Sequence, residues 1–104
     1  MVKKERKPTH PGNILKEDYL TPLGISVTEM AQRLKVSRKT LSKIVNENSS
    51  VTPDMALRLS RVFKTTPDLW LNLQKKIDLW NAQNESDEWK YISPLPVEFL
   101  HSDI

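Results

Sequence analysis

The chain has 104 residues, enough for one domain with a modest core, so association between copies is a natural route to further stability. Sixteen Lys or Arg face thirteen Asp or Glu, a formal net charge of +3, and the absence of cysteine excludes a disulfide framework and a thiolate zinc site. The N-terminal MVKKERKPTHPG lacks the apolar stretch of a signal peptide, and no segment approaches the roughly 18 apolar residues of a bilayer span, so a cytoplasmic protein without membrane contact is expected.

Taken in order, the chain predicts five helices between two flexible ends and no strand, an all-α fold. Residues 1–9 form a basic, flexible N-terminus. A first helix starts near Pro11 and runs to about Leu20, with Ile14, Leu15 and Tyr19 turned inward, before Thr21, Pro22 and Gly24 break it. His10, beside Pro11, suits a helix-start residue.

Residues 26–48, SVTEMAQRLKVSRKTLSKIVNEN, predict two short helices meeting at a sharp turn. Ser26 with Glu29 three residues on is a capping box, in which each side chain satisfies an unpaired backbone donor. Val27, Met30, Ala31 and Leu34 then share one face. Ala31 is small enough to let the next helix approach, and Val36 is placed to plug the junction. Ser37 caps the following helix. At 100° per residue, Leu41 and Ile44 fall on one side of it, while Arg38, Lys39, Ser42, Lys43 and Asn46 occupy a contiguous arc of about 140°. A merely solvated face would mix anions with its cations, yet residues 37–46 carry three cations and none.

That imbalance suits DNA phosphates, and the pair of helices has the pattern of a DNA-binding helix-turn-helix. In such a motif the second helix enters the major groove while the first crosses the backbone. Arg38 and Lys39 are placed to donate to guanine acceptors, and Ser42 and Asn46 to meet other base edges. Thr28, Ser37, Lys43 and Asn48 suit phosphate oxygens, which orient the protein without reading sequence.

The fourth helix opens with Thr52 as cap and Pro53 at its first position, where the missing donor costs little, and buries Met55, Ala56, Leu59, Val62 and Phe63. Thr66, Pro67 and Asp68 repeat the signal for a fifth helix running to about Gln83. Leu69, Trp70, Leu73, Ile77 and Trp80 fill one of its stripes. Leu71, Leu79 and Ala82 lie on a second stripe nearly opposite, a candidate homodimer contact unless the tail folds back over it. A twofold dimer would set two recognition helices about one DNA turn, roughly 34 Å, apart.

Residues 10–83 are therefore expected to be the DNA-binding domain and 84–104 an extended tail. Trp89, Tyr91, Ile92, Leu95, Val97, Phe99 and Leu100 make the tail too apolar for a solvated linker, and Pro94 and Pro96 favour an extended path. It is expected to dock on its own domain, then in descending order to cross to a dimer mate or to bind a partner. Charge is divided along the chain: residues 33–64 hold eight Lys or Arg against Glu47 and Asp54, and residues 65–104 hold three cations against seven anions. One face suits nucleic acid and another a different, basic partner.

An enzyme is not expected. The two histidines, His10 and His101, have no neighbouring nucleophile, metal-ligand spacing or Gly-rich phosphate loop, and Glu17 and Asp18 are adjacent and so diverge on a helix. No cofactor or metal is implied.

The run from His10 to Trp80 resembles the HigA-type antitoxins, also called virulence-associated protein I, within the Xre group of phage-repressor-like domains. The most specific parts are His10-Pro11-Gly12, the run TPDMALRL from Thr52 to Leu59, and Trp70-Leu71-Asn72-Leu73-Gln74. That family usually has Gly at the end of the second helix, where this chain has Lys35; a positive φ there costs Lys about 1 kcal/mol more than Gly. The resemblance implies a five-helix lambda-repressor-like domain. It further implies an antitoxin that neutralises a HigB-type toxin, a small basic mRNA-cleaving ribonuclease, and represses its own operon as a dimer. The alternative is a stand-alone transcriptional repressor.

Overall fold

The computed structural model describes residues 6–99; residues 1–5 of the basic N-terminus, and Leu100 and His101 of the tail, lie outside them. Its helices are α1 (residues 11–23), α2 (Val27–Leu34), α3 (Arg38–Val45), α4 (Pro53–Phe63) and α5 (Pro67–Glu85), followed by short 3₁₀ turns at Glu88–Tyr91 and Val97–Phe99. Among the described residues there is no strand, and no helix is long and apolar enough to cross a membrane.

α1 begins where sequence places it and ends later. His10 is its N-cap, its Nδ1 accepting the Gly12 N–H at 2.9 Å, with Pro11 at the first helical position. Pro22 does not break the helix. The chain widens into a π-helical stretch over Leu15–Leu20, where the Thr21 N–H bonds back to the Lys16 carbonyl, and continues as α-helix through Thr21–Leu23. The wide register ahead of Pro22 is a known way for a helix to absorb an interrupted hydrogen-bond ladder. Gly24, at φ +65°, ends it.

Local signals set the other boundaries. Ser26, Ser37, Thr52 and Thr66 each accept a backbone N–H three residues on. The Ser26 capping box is half made: its Oγ accepts the Glu29 N–H at 3.0 Å, but the Glu29 carboxylate turns to Arg33. α2 and α4 end alike, with Lys35 (φ 59°) and Lys64 (φ 57°) in the left-handed region. Glu47 (φ 65°), after α3, does the same.

α2 packs on α3 and α4, α1 on α3 and α5, and α4 on α5. Leu15, Leu20, Met30, Ala31, Leu34, Leu41, Ile44, Val45, Val51, Met55, Ala56, Leu59 and Trp70 form one continuous core, with Val36 half-buried at its edge. Tyr19, Phe63 and Trp70 close it as an aromatic triad with ring centroids 4.4–6.2 Å apart. The buried face of α5 comprises Trp70, Gln74 and Ile77, rotated from the expected stripe: Leu69 is exposed and a glutamine stands inside. Gln74 is tolerated because both ends of its amide are bonded. Its Oε1 accepts the Val51 N–H at 2.8 Å and its Nε2 donates to Asp78 at 2.9 Å.

The tail departs from expectation. Trp89, Tyr91, Ile92, Leu95 and Val97 remain exposed, Tyr91 at 83%, so this segment does not dock on its own domain. α5 is extended by two residues beyond Gln83 and carries the chain outward, and its last residue gives way to an extended Ser86 (φ −154°) rather than a turn back.

Candidate nucleic-acid interface

α3 is seated from below. Leu41, Ile44 and Val45 are buried, and the small Gly12 lets α1 come against its far end; a Cβ on Gly12 would lie 1.7 Å from the Ile44 carbonyl oxygen. Burying three branched side chains stabilises this seat by about 1.5–3 kcal/mol each. Outward, Arg38, Lys39, Lys43 and Asn46 are exposed and Ser42 is half-exposed, so the arc drawn from the sequence is a real surface. Among the described residues the ion pairs are Arg33–Glu29, Arg58–Asp54 and Lys90–Asp87. None of them engages the α3 cations.

The polar side chains of this surface are coupled in ways that spacing does not disclose. Arg38 Nε donates to Thr28 Oγ1 on α2 at 3.0 Å, holding the guanidinium across the mouth of the two helices with its two terminal nitrogens left for an outside acceptor. Asn46 Nδ2 donates to Ser42 Oγ at 3.3 Å along the same arc. Ser37 is more committed than its expected phosphate role suggests: its Oγ accepts the Thr40 N–H at 3.0 Å and shares a 2.8 Å hydrogen bond with the Thr40 hydroxyl. Thr40, exposed and passed over by the sequence reading, therefore stands in the same hydroxyl chain. Asn48 is exposed beyond the left-handed Glu47, its N–H bonded to the Lys43 carbonyl at 2.8 Å.

Sequence reasoning also missed Arg58, two of whose three partners are 23 and 24 residues away. Its Nη1 donates to the carbonyls of Leu34 at 2.8 Å and Lys35 at 3.2 Å, and its Nε to Asp54 at 2.7 Å. It thus ties α4 to the C-terminal end of α2, the residue before the turn included, and offsets the left-handed strain at Lys35 with charge-assisted bonds. Arg38, Lys39 and Lys43 form a positive ridge that protrudes and is rigidly backed. It complements a polyanion with a groove.

The second stripe of α5 is only partly continuous. Leu71 and Leu79 line an open groove with Val51, Gln74, Lys75 and Asp78, and Ala82 is exposed outside it. Among the described residues no three of His, Cys, Asp or Glu are grouped to hold a metal.

Comparison with known proteins gives concordant results. A helix-turn-helix family model, HTH_3, matches residues 15–70. A Haemophilus influenzae protein described as an uncharacterised HTH-type transcriptional regulator is 51% identical over 79 residues, 76% of this chain and 74% of its own length. Antitoxin HigA-1 of Vibrio cholerae is 35% identical over 103 residues, 98% of this chain and 97% of its own. Among solved structures, Pseudomonas aeruginosa antitoxin HigA with the higBA promoter superposes with a TM-score of 0.77 at 40% identity, over 86% of this chain and 99% of that one.

Proposed function

Because the chain belongs to the helix-turn-helix family that includes antitoxin HigA-1, we propose that it is a type II antitoxin: a repressor that binds the operator of its own operon and neutralises a small basic mRNA-cleaving toxin. The observation carrying the DNA half is the exposed arc of Arg38, Lys39 and Lys43 on a helix whose opposite face is fully seated. In this reading residues 10–83 are the DNA-binding unit. Arg38 and Lys39 meet base edges with Ser42 and Asn46, and Thr28, Ser37, Lys43 and Asn48 hold phosphates. Thr28 does so while orienting Arg38. A homodimer through the Leu71–Leu79 groove would present two such helices to the two halves of a palindromic operator.

The test is binding of the purified chain to the duplex upstream of its own gene and to a scrambled duplex of equal length, across a salt series. A sequence-specific repressor binds its site at least about 1,000-fold more tightly than random DNA. Equal affinity for both duplexes refutes the operator assignment. The relative described as a transcriptional regulator, 51% identical, favours a second reading, a repressor without a toxin. Co-expression with a neighbouring basic gene product separates the two: rescue of growth supports the antitoxin, and the absence of both toxicity and association supports the stand-alone repressor.

A further inference from the structure

The segment after α5 is exposed, apolar and acidic at once. Trp89, Tyr91, Ile92, Leu95 and Val97 are 47–83% exposed within nine residues. Around them stand Glu85, Asp87, Glu88 and Glu98 against the single cation Lys90. Its start is locally organised: Trp89 Nε1 donates to the Ser86 carbonyl at 2.9 Å, Lys90 pairs with Asp87 at 3.2 Å, and the Lys90 ammonium lies 5.6 Å from the Trp89 ring centroid. The indole's one polar atom is thereby satisfied within the turn, leaving the ring as a positioned anchor.

The spacing adds direction. A 3₁₀ turn covers Glu88–Tyr91, and Pro94 and Pro96 with an extended Ile92 (φ −80°, ψ 124°) favour polyproline geometry beyond it. Both conformations repeat every three residues. Trp89 and Ile92 across the right-handed turn, and Ile92 and Leu95 across the left-handed polyproline stretch, therefore share one side. That apolar side, on a rod of low conformational freedom, is a recognition surface of the kind that docks in an apolar furrow.

Charge selects the occupant. DNA would be repelled by four carboxylates, and two copies of the segment would repel each other. The Leu71–Leu79 groove of a second copy, with one Lys75 and one Asp78, offers no net positive charge to match. We propose that residues 88–97 are the docking segment for a cationic protein partner. Resting on the antitoxin reading above, that partner is the basic toxin, and the segment lays Trp89, Ile92 and Leu95 into an apolar furrow rimmed by Lys or Arg.

The test titrates the purified basic protein encoded by the adjoining gene into the full chain, into the variant carrying Trp89→Ser and Ile92→Ser, and into the variant carrying Asp87→Lys and Glu88→Lys. Operator affinity and oligomeric state of each variant are measured in parallel. The expected result is about a 30- to 1,000-fold loss of partner affinity in the first variant, the scale of losing interface anchors, with operator affinity and oligomeric state unchanged. The charge variant should lose affinity chiefly through slower association, a difference that vanishes at high salt. Wild-type partner affinity in the first variant overturns the docking segment and leaves the antitoxin reading standing. A changed oligomeric state without partner overturns it in favour of a second copy. No association by the unmodified chain refutes the antitoxin reading itself, and the proposal with it.

Discussion

Gly12 carries no functional group, yet the position of the proposed recognition helix depends on it. Any Cβ there would overlap the Ile44 carbonyl, and that oxygen belongs to the backbone of α3, so neither helix can yield alone. Gly12→Ala should destabilise the fold by about 3 kcal/mol, measured by urea or thermal unfolding, because relief requires separating α1 from α3. Wild-type stability would mean that the helices do not approach so closely. On the outer face, Arg38→Ala should remove about 1–3 kcal/mol of discrimination at one base pair. Because Thr28 fixes the guanidinium, Thr28→Val should reproduce part of that loss in operator-variant titrations. Lys43→Ala should weaken binding to every duplex and lower the salt slope by about one unit. An unchanged slope would remove it from the interface. The exposure of this arc could be read from sequence because helical periodicity alone decides it; the bonds from Arg38 to Thr28 and from Asn46 to Ser42 could not, since each depends on a rotamer.

At the scale of elements, caps and buried stripes were legible for the same reason: they are relations between residues three or four apart. Ser37, Thr52 and Thr66 start helices as expected, and Ala31, Val36 and Leu41 stand in or against the core. What escaped was longer in range or a matter of backbone accommodation. The π-helical widening that carries α1 past Pro22, Gln74 reaching across to Val51, and Arg58 reaching back to Leu34 and Lys35 belong to this class. Lys35, standing where the resembled family usually has glycine, adopts φ 59°, a left-handed strain that Arg58 helps to offset. Arg58→Ala should therefore cost about 1.5–3 kcal/mol, the range for hydrogen bonds made by a charged group, with its salt bridge to exposed Asp54 adding little. Arg58→Lys should not restore it, because an ammonium lacks the fork that spans two carbonyls and a carboxylate. Full rescue by Lys would reduce Arg58 to a simple charge.

For the whole molecule, the question is how one small domain reaches repressor affinity. A single helix offers few base contacts, and a second copy held at fixed spacing turns the other half-site into an intramolecular encounter, worth a further 100- to 10,000-fold without new contacts. The open Leu71–Leu79 groove on α5 is the proposed joint, and Leu79 is 56% exposed, so changing it leaves the core intact. Leu79→Glu should thus keep the helical content of the domain while shifting sedimentation from dimer to monomer, with only the concentration-dependent part of the melting temperature lost. Affinity for the complete operator should then fall by roughly 100-fold or more towards that for one half-site, and affinity for an isolated half-site should not change. The reasoning is reciprocal: a carboxylate buried in a twofold contact meets its own symmetry mate or an apolar wall, and either removes the association. If Leu79→Glu remains dimeric, the copies meet elsewhere. If it becomes monomeric and still binds the full operator at wild-type affinity, the two half-sites are not read together, and the spacing of roughly one DNA turn loses its basis.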